Sequence, residues 1–187
     1  MDGPKVHWTV ADLFADRPRL FMTYHVMGSG YDLLTPVGAG LGGLVSLTPL
    51  SGNTSALVMM ANGGLLSGLG GMSLGLLGMS KAAAKGADAK PIPWTDEGIR
   101  QRVDGLQHNF KVRVWDLGVW TGIVAASGLV VATGGPAKWG LAPGMWGFLQ
   151  SASLGSSIGS LAAFGCICIA DYQQNKAIEQ KYKDDDE

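Results

Sequence analysis

Residues 33–80 read LLTPVGAGLGGLVSLTPLSGNTSALVMMANGGLLSGLGGMSLGLLGMS, and these 48 residues contain no Asp, Glu, Lys, Arg or His. A soluble domain of this size does not go so long without charge, whereas the interior of a bilayer favours it. Roughly 20 mostly apolar residues cross about 30 Å of hydrocarbon, so the run predicts two spanning helices. Thr48-Pro49-Leu50-Ser51-Gly52-Asn53 carries the residue types of the turn between them. Two further uncharged stretches, Leu117–Ala137 and Trp139–Ala170, are interrupted only by Lys138 in a Gly- and Pro-rich connection. They predict a second hairpin. The expected fold is all-α and polytopic, with four transmembrane helices at about 33–48, 54–79, 114–133 and 145–170.

The chain then divides into a polar, interfacial N-terminal segment (1–32), hairpin 1 (33–80), a polar middle loop (81–113), hairpin 2 (114–170) and a charged C-terminal tail (171–187). With 187 residues, it has no room for a separate soluble catalytic module. Mean hydropathy is only +0.18 because the loops are charged and glycine contributes 29 residues. Lys and Arg number 14 against 15 Asp and Glu, so no basic surplus favours nucleic acid. Four spans place 13 of the 14 Lys and Arg residues and all 15 Asp and Glu residues on one face of the membrane, leaving only Lys138 opposite. The bias of Lys and Arg toward the inside would make that face cytosolic or matrix, but insertion from the intermembrane space would reverse it. The start, Met1-Asp2-Gly3-Pro4-Lys5, lacks the apolar core of a secretory signal, and Asp2, Asp12 and Asp16 make the segment too acidic for an ordinary cleaved presequence. Targeting information is therefore expected within the chain.

Small residues recur at four-residue spacing in each span: Gly38 and Gly42; Gly64 and Gly68, with Ser67, Gly71 and Gly75; Gly118, Gly122 and Ala126; and Ser151, Gly155, Gly159 and Ala163. That spacing aligns them on one helix face, where close backbone approach supplies dispersion contacts that lipid does not. A packing role is expected, either within the chain or against partners; the competing reading is a pore lining.

In the middle loop, Lys81–Lys90 is read as an extension of the second helix, broken by Pro91-Ile-Pro93. Thr95-Asp96-Glu97 then caps a short amphipathic helix over about 96–108, with Ile99, Val103 and Leu106 on one face. It is expected on the membrane surface or against a partner subunit. Thr9-Val-Ala-Asp12 resembles a capping box. Phe21, Tyr24, Tyr31, Trp115, Trp120, Trp139 and Trp146 are expected as interface anchors.

Chemistry-bearing residues are sparse. No ionisable group falls at mid-span, since Asp32, Asp116 and Asp171 stand at expected membrane edges, which disfavours a proton pump or voltage sensor. His7, His25 and His108 have neither metal nor triad spacing, and Cys166 and Cys168 point to different helix faces and are expected to be buried and inert. No catalytic site, cofactor or metal is expected. The densest polar cluster, Lys111, Arg113, Trp115 and Asp116, suggests an interface anchor or a docking patch for a lipid headgroup or partner.

Four glycine-rich spans in two hairpins, with Arg113 and Asp116 at the start of the third, resemble the mitochondrial inner-membrane translocase and transporter family. That family includes preprotein translocase channel subunits and a four-helix accessory subunit of respiratory complex I. Its pattern has three residues between Arg and Asp, whereas two intervene here, and Ser127-Gly128 comes later than the family spacing. The resemblance implies a multi-pass protein of the mitochondrial inner membrane. It is most like the complex I (NADH:ubiquinone oxidoreductase) subunit, which braces the membrane arm without chemistry of its own. The partners so implied are membrane lipids and other subunits of a large complex, with neither nucleic acid nor a small-molecule substrate. A protein or metabolite translocase component and a stand-alone membrane-shaping hairpin are the other expectations.

Overall fold

The computed structural model describes residues 16–79 and 95–185. Among them, all regular structure is helical: α1 (Pro18–Ser46), α2 (Ala56–Met79), α3 (Asp96–Gln107), α4 (Phe110–Ala132) and α5 (Gly144–Asp185). Short 3₁₀ turns at Pro49–Ser51 and Pro136–Trp139 close the two hairpins, with Gly52, Gly134, Gly135 and Gly140 at positive φ. The capping box at 9–12 and the segment 81–94 lie outside the described residues.

Three helices, α2, α4 and α5, are long and apolar enough to cross a membrane. The expected first span is the exception. At 29 residues α1 has the length, but Asp32, Pro36 and its glycines dilute the aliphatic residues, and it is not among the three. It also starts well before residue 33, where Arg17 and Pro18 set an N-terminus suited to proline. At the other end of the chain, the expected tail is helical: α5 runs 42 residues, about 63 Å at 1.5 Å per residue.

Glycine decides how the hairpins close. Along α1 and α2, a methyl group on Gly71 would strike the Gly30 carbonyl, one on Gly38 the Gly63 carbonyl and the Ser67 hydroxyl, one on Gly42 the Met59 carbonyl, and one on Gly75 the Val26 carbonyl. Gly68 faces Thr35 and Tyr31, and Gly64 faces Thr35 and, from α5, Ser153. In the second hairpin Gly118 meets Gly159 and Ala163, while Gly122 meets Gly155. All ten glycines of the stripes thus lie at helix contacts within the chain. Gly30 and Gly63, outside the expected stripes, complete the α1–α2 seam.

The two hairpins join through α5, whose inward face is a row of buried serines. Ser153 Oγ donates to the Ala61 carbonyl at 3.3 Å, Ser156 Oγ to the Asp32 carboxylate at 3.3 Å, and Ser157 Oγ to the Ser153 carbonyl at 2.9 Å. Pro36 has no N–H, so the helix leaves the Asp32 carbonyl without its usual donor. Ser160 Oγ of α5 fills that role at 3.3 Å. Near the turns, Gln150 donates to Asn62 Oδ1 at 2.6 Å and accepts from the Ala142 N–H at 2.8 Å. Because Gln150 sits beside the start of α2 while Ser156 and Ser160 sit beside Asp32, α5 runs antiparallel to α1 and both hairpin turns share one end of the bundle.

The bundle interior is therefore rich in polar groups, and most of its large aliphatic residues face outward. Ser153 and Ser156 are 0% exposed, whereas Leu44, Leu77 and Ile158 are 63%, 72% and 67% exposed. A soluble bundle has the opposite arrangement. Cys166 and Cys168, expected to be buried, are exposed on the outer side of α5, because its serines and glycines take the inward face.

The amphipathic helix α3 forms as expected, with the Thr95 hydroxyl accepting from the Gly98 N–H at 3.2 Å. Its apolar face is occupied by α1: Phe21, Met22 and Val103 form a buried cluster flanked by Val26, Ile99 and Leu106. Phe21 is a core residue here rather than an interface anchor. An exposed Arg19–Asp96 ion pair at 2.6 Å joins the same two helices and adds little stability.

Candidate functional site

A groove with a volume of about 340 Å³ opens between α1 and α4. The backbones of these helices stay apart, and α5 contributes Ile167 to the lining. On α1, residues 24, 25, 28, 29, 32 and 33 recur at helical spacing and form one wall. On α4, residues 111, 112, 115 and 116 form the other. The start of that wall is fixed by Asn109, whose side chain accepts from the Lys111 and Val112 N–H groups at 3.0 and 3.4 Å.

One chain of hydrogen bonds crosses the groove. The Tyr24 hydroxyl donates to the Asp116 carboxylate and accepts from the Trp120 indole N–H at 2.7 Å. Asp32, expected at a water-solvated edge, is buried and also lines the groove, with Ser156 donating to it from behind. The helix begins upstream of the expected span, so this carboxylate falls within α1 rather than before it. His25 stacks on Phe21 with ring centroids 6.3 Å apart. Gly28 leaves the α1 wall low, because a Cβ there would meet no atom within 4 Å.

Of the cluster Lys111, Arg113, Trp115 and Asp116, three line the groove. Lys111 pairs with Asp171 of α5 at 2.7 Å, tying the start of α4 to its hairpin partner. Arg113 donates to the Gln107 carbonyl at 3.2 Å, at the junction of α3 and α4. Tyr24 and Tyr31, expected as lipid-interface anchors, serve the interior instead: Tyr24 bridges to α4, and Tyr31 packs on Gly68. Trp139, at the opposite end, donates to Thr133 Oγ1 at 2.6 Å.

The sequence places Tyr24 and Asp32 at the membrane edge rather than in a groove, and the serine row is not read from it. The 24, 28, 32 spacing is visible in the sequence and continues the first span upstream. Among the described residues no group of three or more His, Cys, Asp or Glu could hold a metal ion. The groove offers the Asp32 and Asp116 carboxyl groups at its base, with His25 and the Asp171-paired Lys111 beside them and Leu33, Val112, Trp115 and Ile167 as apolar walls. Such a surface favours an apolar body that carries a cation. No family model, no curated protein and no solved structure matches this chain.

Proposed function

We propose that this chain is a four-span integral membrane protein that acts as a non-catalytic accessory subunit of a respiratory assembly in the mitochondrial inner membrane, complex I foremost. The observation that carries the membrane reading is the inverted bundle, with serines, Gln150 and Asp32 inside and most leucines outside. Lipid requires backbone and side-chain polar groups to be satisfied internally, and here they are spent on one another. The case for α1 as the fourth span is its partner. α1 lies backbone to backbone against the apolar α2 from Gly42 and Met59 down to Val26 and Gly75, and it presents Leu33, Val37, Leu41 and Leu44 outward. A crossing α2 carries α1 across with it.

The bracing role is supported by the glycine contacts that close each hairpin, because a bundle locked along its length holds neighbours in register. The identity of the assembly comes from the family resemblance. A second reading, a component of a protein or metabolite translocase, is favoured by the laterally open groove. Purification of the tagged chain in mild detergent tests both. The accessory reading expects co-migration in native gels with an NADH-oxidising assembly. Co-migration with import factors supports the second reading, and homo-oligomers alone would contradict both.

A further inference from the structure

We infer that the groove between α1 and α4 receives a transmembrane helix of a neighbouring subunit, and that this helix carries a lysine or arginine whose cation is held by Asp32 with help from Asp116. The inference deepens the accessory-subunit reading and rests on it.

Asp32 precedes the end of α1 at Ser46 by about 21 Å, and Asp116 precedes the end of α4 at Ala132 by about 24 Å, at 1.5 Å per residue. Both hairpin turns lie at one end, so in about 30 Å of hydrocarbon the two carboxylates share a level one to two helical turns inside the opposite surface. A carboxylate at that level is costly unless it meets a cation or a strong donor set. Asp32 has the Ser156 hydroxyl on its inner side, and its outer side forms part of the groove.

The ammonium in the lining, that of Lys111, is engaged by Asp171 and lies five residues nearer the surface than Asp116. A phospholipid amine does not fit this order, because its ammonium would have to reach deeper than its own phosphate. A lysine or arginine on a helix fits, since its side chain snorkels toward the surface from a Cα set deeper still.

Gly28 and Ser29 leave α1 low enough for a backbone to approach, and small residues favour helix contacts in lipid. Leu33, Val112, Trp115 and Ile167 provide the apolar flanks.

The test uses the full chain in its native membrane. A photo-crosslinking amino acid replaces Leu33 or Val112 in the groove, or Leu66 on the outer face of α2 as a reference. Gly28→Leu puts a side chain into the groove at a position where an added Cβ meets nothing within 4 Å, Asp32→Asn removes the charge but keeps an acceptor for Ser156, and Gly40→Leu, where an added Cβ likewise meets nothing, is the control. Adducts at 33 and 112 should map to one subunit, on a transmembrane segment with a basic residue within a turn of the attachment point. Gly28→Leu and Asp32→Asn should lower the assembled fraction at least fivefold, while Gly40→Leu leaves it unchanged and all three variants still insert. Groove adducts with phospholipid only, a captured helix without a basic residue, or normal assembly of Gly28→Leu and Asp32→Asn would overturn the inference while leaving the accessory role standing. A parent chain that migrates alone would remove both.

Discussion

Replacing Gly155 and Gly159 together by leucine should destroy the α4–α5 hairpin and with it the folded bundle. Each position holds α5 against the carbonyl of Gly122 or Gly118, so even a methyl group has nowhere to go without moving a helix. Overpacking of a single methyl or methylene costs about 1–3 kcal/mol, and two isobutyl groups on one seam exceed that several-fold. Both hairpins join through α5, so the damage reaches α1 and α2 as well. The expected readout is loss of the monodisperse peak in detergent chromatography and full protease sensitivity. Gly128→Leu and Gly165→Leu, at positions where an added Cβ meets nothing within 4 Å, should behave as the parent or gain up to about 1 kcal/mol of helix propensity. If the double variant stays folded and merely fails to assemble, the stripe faces a partner rather than the chain.

The stripes were legible as faces because four-residue spacing is geometry. Their partner was not, since Gly155 and Gly159 look the same whether they meet Gly122 and Gly118 or another protein. The serines of α5 were legible only as small residues. Their function as donors depends on what α1 and α2 bring to them, and the need for Ser160 arises from a proline 124 residues away, at Pro36. The extent of α1 was hidden by composition: Arg19, His25 and Asp32 suggest a water-exposed segment, yet the helix continues through them. The groove followed from that miss, because Tyr24, Gly28 and Asp32 form a wall only once residues 18–46 are a single helix.

Phe21→Ala should release α3 from α1 and leave the membrane bundle intact. Phe21 is 1% exposed and centres the cluster with Met22 and Val103, so its truncation costs about 3–5 kcal/mol of that packing. α3 meets the rest of the molecule chiefly there, so the loss should appear as local opening. Amide exchange over 96–107 should accelerate about a hundredfold or more, at 1.4 kcal/mol per factor of ten, while α2 and α5 keep their protection. Leu44→Ala, at a position 63% exposed, should leave exchange in α3 unchanged. Unaltered protection of α3 in Phe21→Ala would mean that the helix is held by the membrane surface or a neighbour and not by α1.

Four crossings require that both hairpin turns face one compartment while the start of α1, α3 and the end of α5 face the other. Single cysteines placed at Arg17, Ser51, Glu97, Lys138 and Gln174 in a Cys166→Ser, Cys168→Ser background, and labelled with a membrane-impermeant maleimide from each side in turn, test it directly. The four-span bundle predicts that Ser51→Cys and Lys138→Cys react from one side only, and Arg17→Cys, Glu97→Cys and Gln174→Cys from the other side only. Labelling of Arg17→Cys and Ser51→Cys from the same side would show that α1 does not cross, and would contradict the four-span bundle.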